Sequence, residues 1–172
     1  GLFYSAFTAY AGFEVNDGEY KLMGMAAFAK PERIDQVRSL FRLRPDGTFR
    51  IKQEPFNFML CAPMPFNSGL ERMFGAPRPP DSPFDPGGPD TPGSREASRH
   101  AVIAASVQKA TEEMVLHVVR QAMRRSLRRG KRHRITMADF VQAAERELKK
   151  SSLMTTDHLQ EDARKQKIRG YA

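Results

Sequence analysis

The chain has 172 residues, which is enough for one ordinary domain or for a small domain with an appendage. Charged residues make up 28% of it, and no apolar run approaches the roughly 20 residues needed to cross a bilayer, so a membrane-spanning protein is excluded. Seven of the eight net positive charges lie between Arg124 and Arg134, which excludes a uniformly basic nucleic-acid binder. The absence of a basic leader and the single cysteine, Cys61, indicate a cytoplasmic location.

The first 31 residues predict two helices separated by a turn. Apolar and aromatic residues at helical spacing predict a helix over residues 2–13, and Asn16-Asp17-Gly18 ends it with turn chemistry. A second helix is expected over residues 19–29, closed by Pro31. Its inward residues are predicted to be Met23, Ala26 and Ala27. The aromatic residues of the first helix are interpreted as core; they are Phe3, Tyr4, Phe7, Tyr10 and Phe13.

Shorter elements follow up to residue 75. A helix is expected over residues 32–40, and the alternating residues 41–52 around Asp46-Gly47 predict a β-hairpin. Residues 54–66 are apolar without a period and are expected to form an ordered loop. Ser68 opens a capping-box pattern, which predicts a short helix ending near Gly75.

The second half of the chain changes in composition. Residues 76–94 hold seven of the twelve prolines and are expected to be a flexible linker or a loop held on a surface. A long helix is predicted over residues 95–130, ending at Gly130. Its apolar stripe is Ile103, Val107, Ala110, Met114, Val118 and Ala122. We therefore divide the chain into residues 1–75, the linker or loop 76–94, the helix 95–130, and a basic, partly helical extension 131–172.

Three segments together resemble the N-terminal region of bacterial carbamoyltransferases. They are GLFYSAFTAYAGFEVNDGEYKLMGMAAFAKP, FRLRPDGTFRIKQEPFNF, and ERMFGAPRPPDSPF followed by HAVIAASVQKATEEMVL. The pattern G-E-Y-K-x-M-G-x-A carries most of the specificity. The likeness covers residues 1 to about 125 and is to enzymes of the type of nodulation protein U and of the cephalosporin and tobramycin carbamoyltransferases.

The resemblance implies a fold and a reaction. It implies an α+β, mostly helical part of an actin-like ATPase-type domain with one hairpin, similar to the tRNA-threonylcarbamoylating proteins. Such enzymes convert carbamoyl phosphate and ATP to a carbamoyl-adenylate, then transfer the carbamoyl group to a hydroxyl of a sugar or antibiotic. By this analogy the nucleotide-binding residues are Gly18, Glu19, Tyr20, Lys21 and Gly24. Glycines admit close backbone approach, Glu19 suits ribose hydroxyls and Lys21 suits a phosphate.

The chain also departs from the family pattern. The family's metal-binding histidines have no counterpart here, and the four histidines are scattered without ligand spacing, so no metal ligand is assigned. The domain that handles carbamoyl phosphate is absent, so we expect a fragment without turnover of its own. Residues 135–150 resemble in part the lid helices of AAA-type ATPases, with no phosphate-binding loop beside them.

Other interpretations remain open beside these. From residue chemistry alone, Glu19 and Lys21 form an exposed pair at a helix start. The basic run 124–134 either binds nucleic-acid phosphates or forms a solvated helix end, and the lack of interleaved aromatics favours the second. The alternative function is a nucleic-acid- or partner-binding adaptor that uses residues 120–150.

Three further expectations concern burial. If the chain is a fragment, the apolar face from Ile103 to Met114 should remain exposed. Each histidine is expected to lie at the surface or to have its hydrogen bonds satisfied. Cys61 has no histidine or basic neighbour in sequence and is expected to be a buried, inert thiol.

Overall fold

A computed structural model describes residues 1–58, 63–86 and 90–128 of the chain. The helices and strands are α1 (Leu2–Tyr10), α2 (Glu19–Ala26), α3 (Ile34–Arg38), β1 (Phe41–Leu43), β2 (Phe49–Ile51), α4 (Ser68–Phe74) and α5 (Pro92–Arg128). This mixture of helices with one two-stranded antiparallel sheet confirms the α+β class. Cys61, Gly130, the extension 131–172 and the likeness at 135–150 lie outside the described residues.

Contacts along the backbone divide the chain into two compact units. The first consists of Gly1–Arg44 and Phe49–Leu116. The second consists of Pro45–Thr48 and the chain from His117 onward. Within the described ranges, no helix is long and apolar enough to cross a membrane.

The core of the first unit is built on the aromatic face of α1. Phe3, Phe7 and Tyr10 are each less than 5% exposed, as predicted for core residues. Phe7 packs edge-to-face on Phe74 of α4, with the ring centroids 5.6 Å apart. Phe3 packs in the same way on Phe56, at 5.8 Å. Because such rings bury large apolar areas and favour this geometry, α1 holds α4 and the loop at Phe56 in place.

Helix α5 covers the other side of this core. Its residues Ile103, Val107, Ala110 and Met114 are buried, so the predicted stripe is confirmed and the expectation that Ile103 to Met114 stays exposed is wrong. The reason is that the aromatic residues of α1 and α4 supply the apolar partners of the stripe. Tyr4 donates to Gln108 Oε1 at 2.9 Å, and the Tyr10 ring lies 5.6 Å from the His100 ring, so α1 and α5 run antiparallel.

Helix α5 begins at Pro92, earlier than the Arg95 expected from the apolar stripe. Thr91 and Ser94 form a reciprocal cap: Thr91 N donates to Ser94 Oγ at 3.1 Å and Ser94 N donates to Thr91 Oγ1 at 3.2 Å. Proline fits the first helical turn because backbone N–H groups there have no acceptor within the helix, so a residue without an N–H loses no hydrogen bond. The Thr-Pro-x-Ser sequence is therefore the start signal of this helix.

The hairpin is confirmed, and its turn belongs to the second unit. Strands β1 and β2 pair antiparallel, with Leu43 opposite Phe49. In the turn, Asp46 Oδ1 accepts from Thr48 N at 3.0 Å and from Thr48 Oγ1 at 2.6 Å. Gly47 has φ +86°, a conformation that strongly favours glycine. Arg125 donates to the Asp46 carbonyl and holds the turn against the C-terminal part of α5 within this unit.

The N-terminus of α4 differs from the prediction by one residue. The capping side chain is Asn67, whose Oδ1 accepts from Gly69 N at 2.8 Å, whereas Ser68 is the first helical residue. Asn67 also donates to the Glu54 carbonyl at 2.8 Å. Asn67 therefore caps the helix through its amide oxygen and ties down the preceding loop through its amide nitrogen.

Candidate functional site

The loop before α2 is closed tightly around Gly18. This residue is the N-cap of α2 and is buried. A Cβ atom added to it would lie 2.6 Å from Phe13 Cβ and 2.7 Å from the Glu14 carbonyl oxygen. Any larger residue would therefore open the loop, so glycine is required here for packing.

The Glu19 carboxylate turns back toward α1. Its Oε1 accepts from Ser5 Oγ at 2.9 Å and from Asn16 N at 3.1 Å. These hydrogen bonds, above all the one from the Asn16 amide, lower the pKa of Glu19. Asn16 has φ 73°, and the carboxylate holds this left-handed residue in place. Glu19 is thus bonded inside the chain and is not simply one half of an exposed pair with Lys21.

The other predicted nucleotide-binding residues face outward from α2. The Tyr20 side chain is 62% exposed, Lys21 is exposed, and its Nζ lies 5.8 Å from the centre of the Tyr20 ring. Gly24 is exposed, and a Cβ atom added to it would meet nothing within 4 Å. The five predicted residues therefore lie along α2 from its N-cap Gly18 to Gly24, and they point in two directions, with Glu19 inward and Tyr20, Lys21 and Gly24 outward.

The face of α2 that packs on the core differs from the predicted one. The buried residues are Leu22 and Met25, whereas Met23 is 55% exposed and Ala27 is exposed. Ala26 is partly buried against the core. The prediction that Met23 and Ala27 point inward was wrong because Glu19 bonds to Ser5 of α1, which fixes the rotation of the helix.

A second group of polar side chains gathers around Arg99, where α1, α4 and α5 meet. Arg99 Nη1 donates to the Phe74 carbonyl at 2.6 Å and to the Tyr10 hydroxyl at 3.1 Å, and Nη2 donates to the Ala76 carbonyl at 2.7 Å. The Tyr10 hydroxyl donates to the Gly75 carbonyl at 2.8 Å. Because the last carbonyls of a helix lack partners within it, this guanidinium closes the C-terminus of α4.

His100 lies next to this group and is buried. Its Nε2 is 3.0 Å from Arg99 Nη2, and its Nδ1 has no hydrogen-bond partner. Burial and the nearby Arg99 cation lower the pKa of His100 to about 4, so the ring is neutral at pH 7. Arginine only donates, so Nε2 accepts and the ring proton is on Nδ1. The expectation of a surface or satisfied histidine is therefore wrong for His100.

Arg78 is buried close enough to His100 for its charge to contribute to the lowered pKa of that histidine. Nη1 donates to the Ala11 carbonyl at 3.1 Å and Nη2 donates to the Ser82 carbonyl. The guanidinium carbon lies 5.3 Å from the centre of the Phe13 ring and 5.9 Å from that of Phe84. Burial lowers the pKa of Arg78. These contacts hold the start of the proline-rich segment on the surface of the first unit.

Gly12 permits this close approach. It has φ +78°, and a Cβ atom there would lie 2.7 Å from the Arg78 carbonyl oxygen and 2.8 Å from that of Pro79. The Arg78 amide donates to the Tyr10 carbonyl at 2.9 Å. The two backbone segments are therefore in direct contact, and a side chain at residue 12 would separate them.

Arg78 and His100 line one cavity of about 420 Å³. It lies between the proline-rich segment and the first turns of α5. The lining residues are Pro77, Arg78, Pro79, Ser82, Pro83, Asp85, Thr91, Gly93, Ser94, Glu96, Ala97 and His100. The molecule thus has two candidate sites in its first unit, the outward face of α2 and this cavity.

Comparison with known proteins assigns the chain to a family. A family model described as the carbamoyltransferase N-terminus matches residues 1–146. The chain belongs to this carbamoyltransferase family. It is also 42% identical over 120 residues to the uncharacterized protein sll1178 of Synechocystis sp., an alignment that covers 69% of this chain and 17% of the relative. The chain thus spans about 17% of the length of the curated relative that it matches.

The family match covers both candidate sites and does not favour the nucleic-acid-binding adaptor. The resemblance described above also implies a metal ion. In the described ranges, no three His, Cys, Asp or Glu side chains lie close enough together to hold a metal ion. These residues therefore do not fit a metal centre, and we assign no step to one.

The sequence analysis missed the cavity. Arg78 belongs to the FG-x-PR turn and His100 opens the HAVIAASVQ segment, and both segments carry the family resemblance. The presence of both residues in segments that resemble the family was the one signal that could have pointed to the cavity. Neither residue belongs to a periodic pattern, and 21 positions separate them in the sequence, so spacing rules give no reason to place them together.

Proposed function

We propose that this chain contributes a nucleotide-binding surface to a carbamoyltransferase of the nodulation protein U type. In the proposed reaction, carbamoyl phosphate and ATP give a carbamoyl-adenylate, and the carbamoyl group then passes to a hydroxyl of a sugar or antibiotic. ATP is a substrate here, and the surrounding domain is proposed to be of the actin-like ATPase type. The family match over residues 1–146 supports the reaction class.

One observation carries the proposal: the outward face of α2 is apolar. Tyr20, Met23, Gly24 and Ala27 lie at helical spacing and are all exposed. A surface helix normally turns such residues inward, and exposed apolar patches mark binding sites. Tyr20, Met23 and Gly24 also belong to the motif that resembles the carbamoyltransferases. A face that is both exposed and typical of the family is best explained by a bound molecule.

The chemistry of this face suits an adenine nucleotide. An exposed tyrosine ring beside a glycine offers a flat apolar surface for a base. Lys21, at the N-terminal end of α2, supplies a positive charge for phosphate where the helix dipole also favours anions. Glu19 turns toward α1, where it accepts from Ser5 and Asn16, so it fixes the N-terminal end of α2 beside Lys21 and is not assigned a ribose contact on the outward face.

Turnover is proposed to need residues outside this chain. The residues described do not fit a metal centre, and the alignment covers 17% of the relative's length. We therefore expect nucleotide binding without carbamoyl transfer when the chain is assayed alone.

ATP titration of the purified chain tests the proposal. Replacing Tyr20 or Lys21 with alanine should weaken ATP binding about tenfold each, which corresponds to about 1.4 kcal/mol. Lys52→Ala is the matched control, because Lys52 is an exposed lysine outside α2. Its ATP affinity should equal that of the parent chain.

Two results would contradict the proposal. One is the absence of ATP binding by the parent chain, and the other is unchanged binding by both the Tyr20 and the Lys21 variants. A melting temperature that DNA raises at low salt and ATP leaves unchanged would instead support the adaptor that uses residues 120–150.

A further inference from the structure

The cavity between residues 77–85 and the start of α5 has the size and composition of a small-molecule site. Its volume of about 420 Å³ lies within the range of roughly 300–1,000 Å³ that is usual for ligand pockets. Pro77, Pro79, Pro83 and Ala97 form much of its wall, and a few polar groups stand among them. Such pockets combine apolar walls with a small number of placed polar atoms.

Arg78 gives this cavity an unbalanced positive charge. The Arg78 residue is 9% exposed, and among the described residues no carboxylate lies within 4 Å of its guanidinium. Two backbone carbonyls accept from it. The carboxylate of Asp81 also acts on its charge, but Asp81 is exposed and forms no ion pair with it, so the guanidinium lacks a direct counter-ion among the described residues. Buried charges are normally paired, because removing a charge from water is costly. An anion in the cavity would supply the missing partner.

A further feature favours an anion at the same place. Gly93 and Ser94 bring the N-terminal turn of α5 to the cavity wall, where the helix dipole is positive. Arg78 and this helix end come from different parts of the chain and line one space. His100 also lines the cavity, but its Nδ1 is fully buried and does not face the open space.

The two acidic residues that line the cavity do not cancel this preference. Glu96 is engaged by Arg99, whose Nε donates to Glu96 Oε2 at 3.0 Å, and this contact lowers the pKa of Glu96. Asp85 is exposed, so water screens its charge. The buried charge in the cavity wall is therefore that of Arg78.

We infer that this cavity binds a small oxyanion, a phosphate or carboxylate group, with Arg78 as the charged partner. This site is separate from the outward face of α2, which is proposed to bind ATP. The inference stands on the cavity alone and does not depend on that proposal.

The test is a titration of the chain with inorganic phosphate and, separately, with acetate, at constant ionic strength. Binding is followed through the backbone amide chemical shifts of the residues that line the cavity. We expect a saturable response to at least one of the two anions. A response to phosphate alone identifies a phosphoryl ligand, and a response to acetate alone identifies a carboxylate.

Matched variants separate the cavity from the surface. Arg78→Gln should weaken the binding of the responding anion tenfold or more, because a charge-assisted hydrogen bond is lost. This loss corresponds to about 1.4 kcal/mol or more of binding free energy. Arg95→Gln removes a nearby cation whose side chain is 68% exposed and paired with Asp90, and affinity should stay within about twofold. Ala97→Val adds bulk to the cavity wall without changing charge and should also abolish binding.

Three results would overturn the inference. The first is no saturable response to either anion up to about 50 mM, far weaker than a millimolar site. The second is equal weakening by Arg78→Gln and Arg95→Gln, which would indicate general surface attraction. The third applies if Arg78→Gln does not fold: it is anion binding by a folded Ala97→Val protein that is as strong as binding by the parent chain.

Discussion

Helices α2 and α5 expose their apolar residues very differently. Helix α5 buries the stripe from Ile103 to Met114 and also buries two polar residues, His100 and Ser106. Helix α2 buries only Leu22 and Met25 and exposes most of its remaining apolar side chains. The stripe of α5 meets the aromatic residues of α1, whereas no described residue covers the outward face of α2 in this way. Apolar residues at helical spacing therefore form a packing face in α5 and an exposed face in α2.

The largest expected effect tests the orientation of α2. Leu22→Ala should lower the free energy of unfolding by about 2–5 kcal/mol, because Leu22 is 1% exposed and its removal leaves a cavity. Met23→Ala should change it by less than about 0.5 kcal/mol, because Met23 is 55% exposed. Urea denaturation measures both. A larger loss for Met23→Ala than for Leu22→Ala would show that α2 packs through the face predicted from the sequence, and would end the comparison with α5.

The next effect concerns the buried histidine of α5. The pKa of His100 is lowered to about 4 from an ordinary value near 6.5, so the unfolded chain binds more protons between these pH values. The stability that neutral His100 contributes to the fold is fully present above pH 6.5 and is lost as the pH falls to about 4. The free energy of unfolding should therefore fall by roughly 1–3 kcal/mol across this window.

His100→Gln is the control for this pH effect. Glutamine retains an acceptor for Arg99 but does not titrate, so the slope of stability against pH between 6.5 and 4.5 should flatten. Carboxylates whose pKa is lowered, such as Glu96, change the stability at lower pH, and they do so equally in both proteins. Equal slopes in the two proteins would show that His100 is solvated in the fold.

The smallest effect concerns the buried serine of α5. Ser106 Oγ donates to the Val102 carbonyl at 2.7 Å and accepts from Arg33 N at 3.1 Å, so it joins α5 to the start of α3. Ser106→Ala should lower the free energy of unfolding by about 1–2 kcal/mol, because the Arg33 amide loses its acceptor. Thermal denaturation with calorimetric analysis measures the difference.

Thr111→Val is a matched comparison for Ser106. Thr111 Oγ1 also donates to the carbonyl of the preceding turn, at 2.8 Å to Val107. It accepts from no other segment among the hydrogen bonds of the described residues, so its loss should change stability by less than about 0.5 kcal/mol. If both substitutions cost the same, the link between α5 and α3 contributes nothing measurable.

Elements defined by local patterns were predicted well. The alternation on both sides of Asp46-Gly47 gave the hairpin, and the spacing of Ile103, Val107, Ala110 and Met114 gave the buried face of α5. The aromatic face of α1 was also correct. In these cases neighbours in the sequence dictate the backbone conformation, and a long stripe can pack in one way only.

Features that depend on distant partners were not predicted. The cap of α4 is Asn67 because Asn67 also reaches the Glu54 carbonyl, and a local capping-box pattern at Ser68 carries no information about that loop. The same holds for the Arg99 guanidinium, which bonds to Tyr10 and to the carbonyls of Phe74 and Ala76. The nucleotide-binding role of the residues from Gly18 to Gly24 stays a prediction.

The sequence by itself determined the elements of this protein and, through its motifs, the family. Only the tertiary structure decided which face of α2 is exposed, and only it brought Arg78 and His100 to one cavity. The physical reason is that periodicity fixes which residues share a face of a helix, but not what that face meets. Which groups end up buried or unpaired depends on contacts between segments far apart in the chain, and those contacts exist only in the folded molecule.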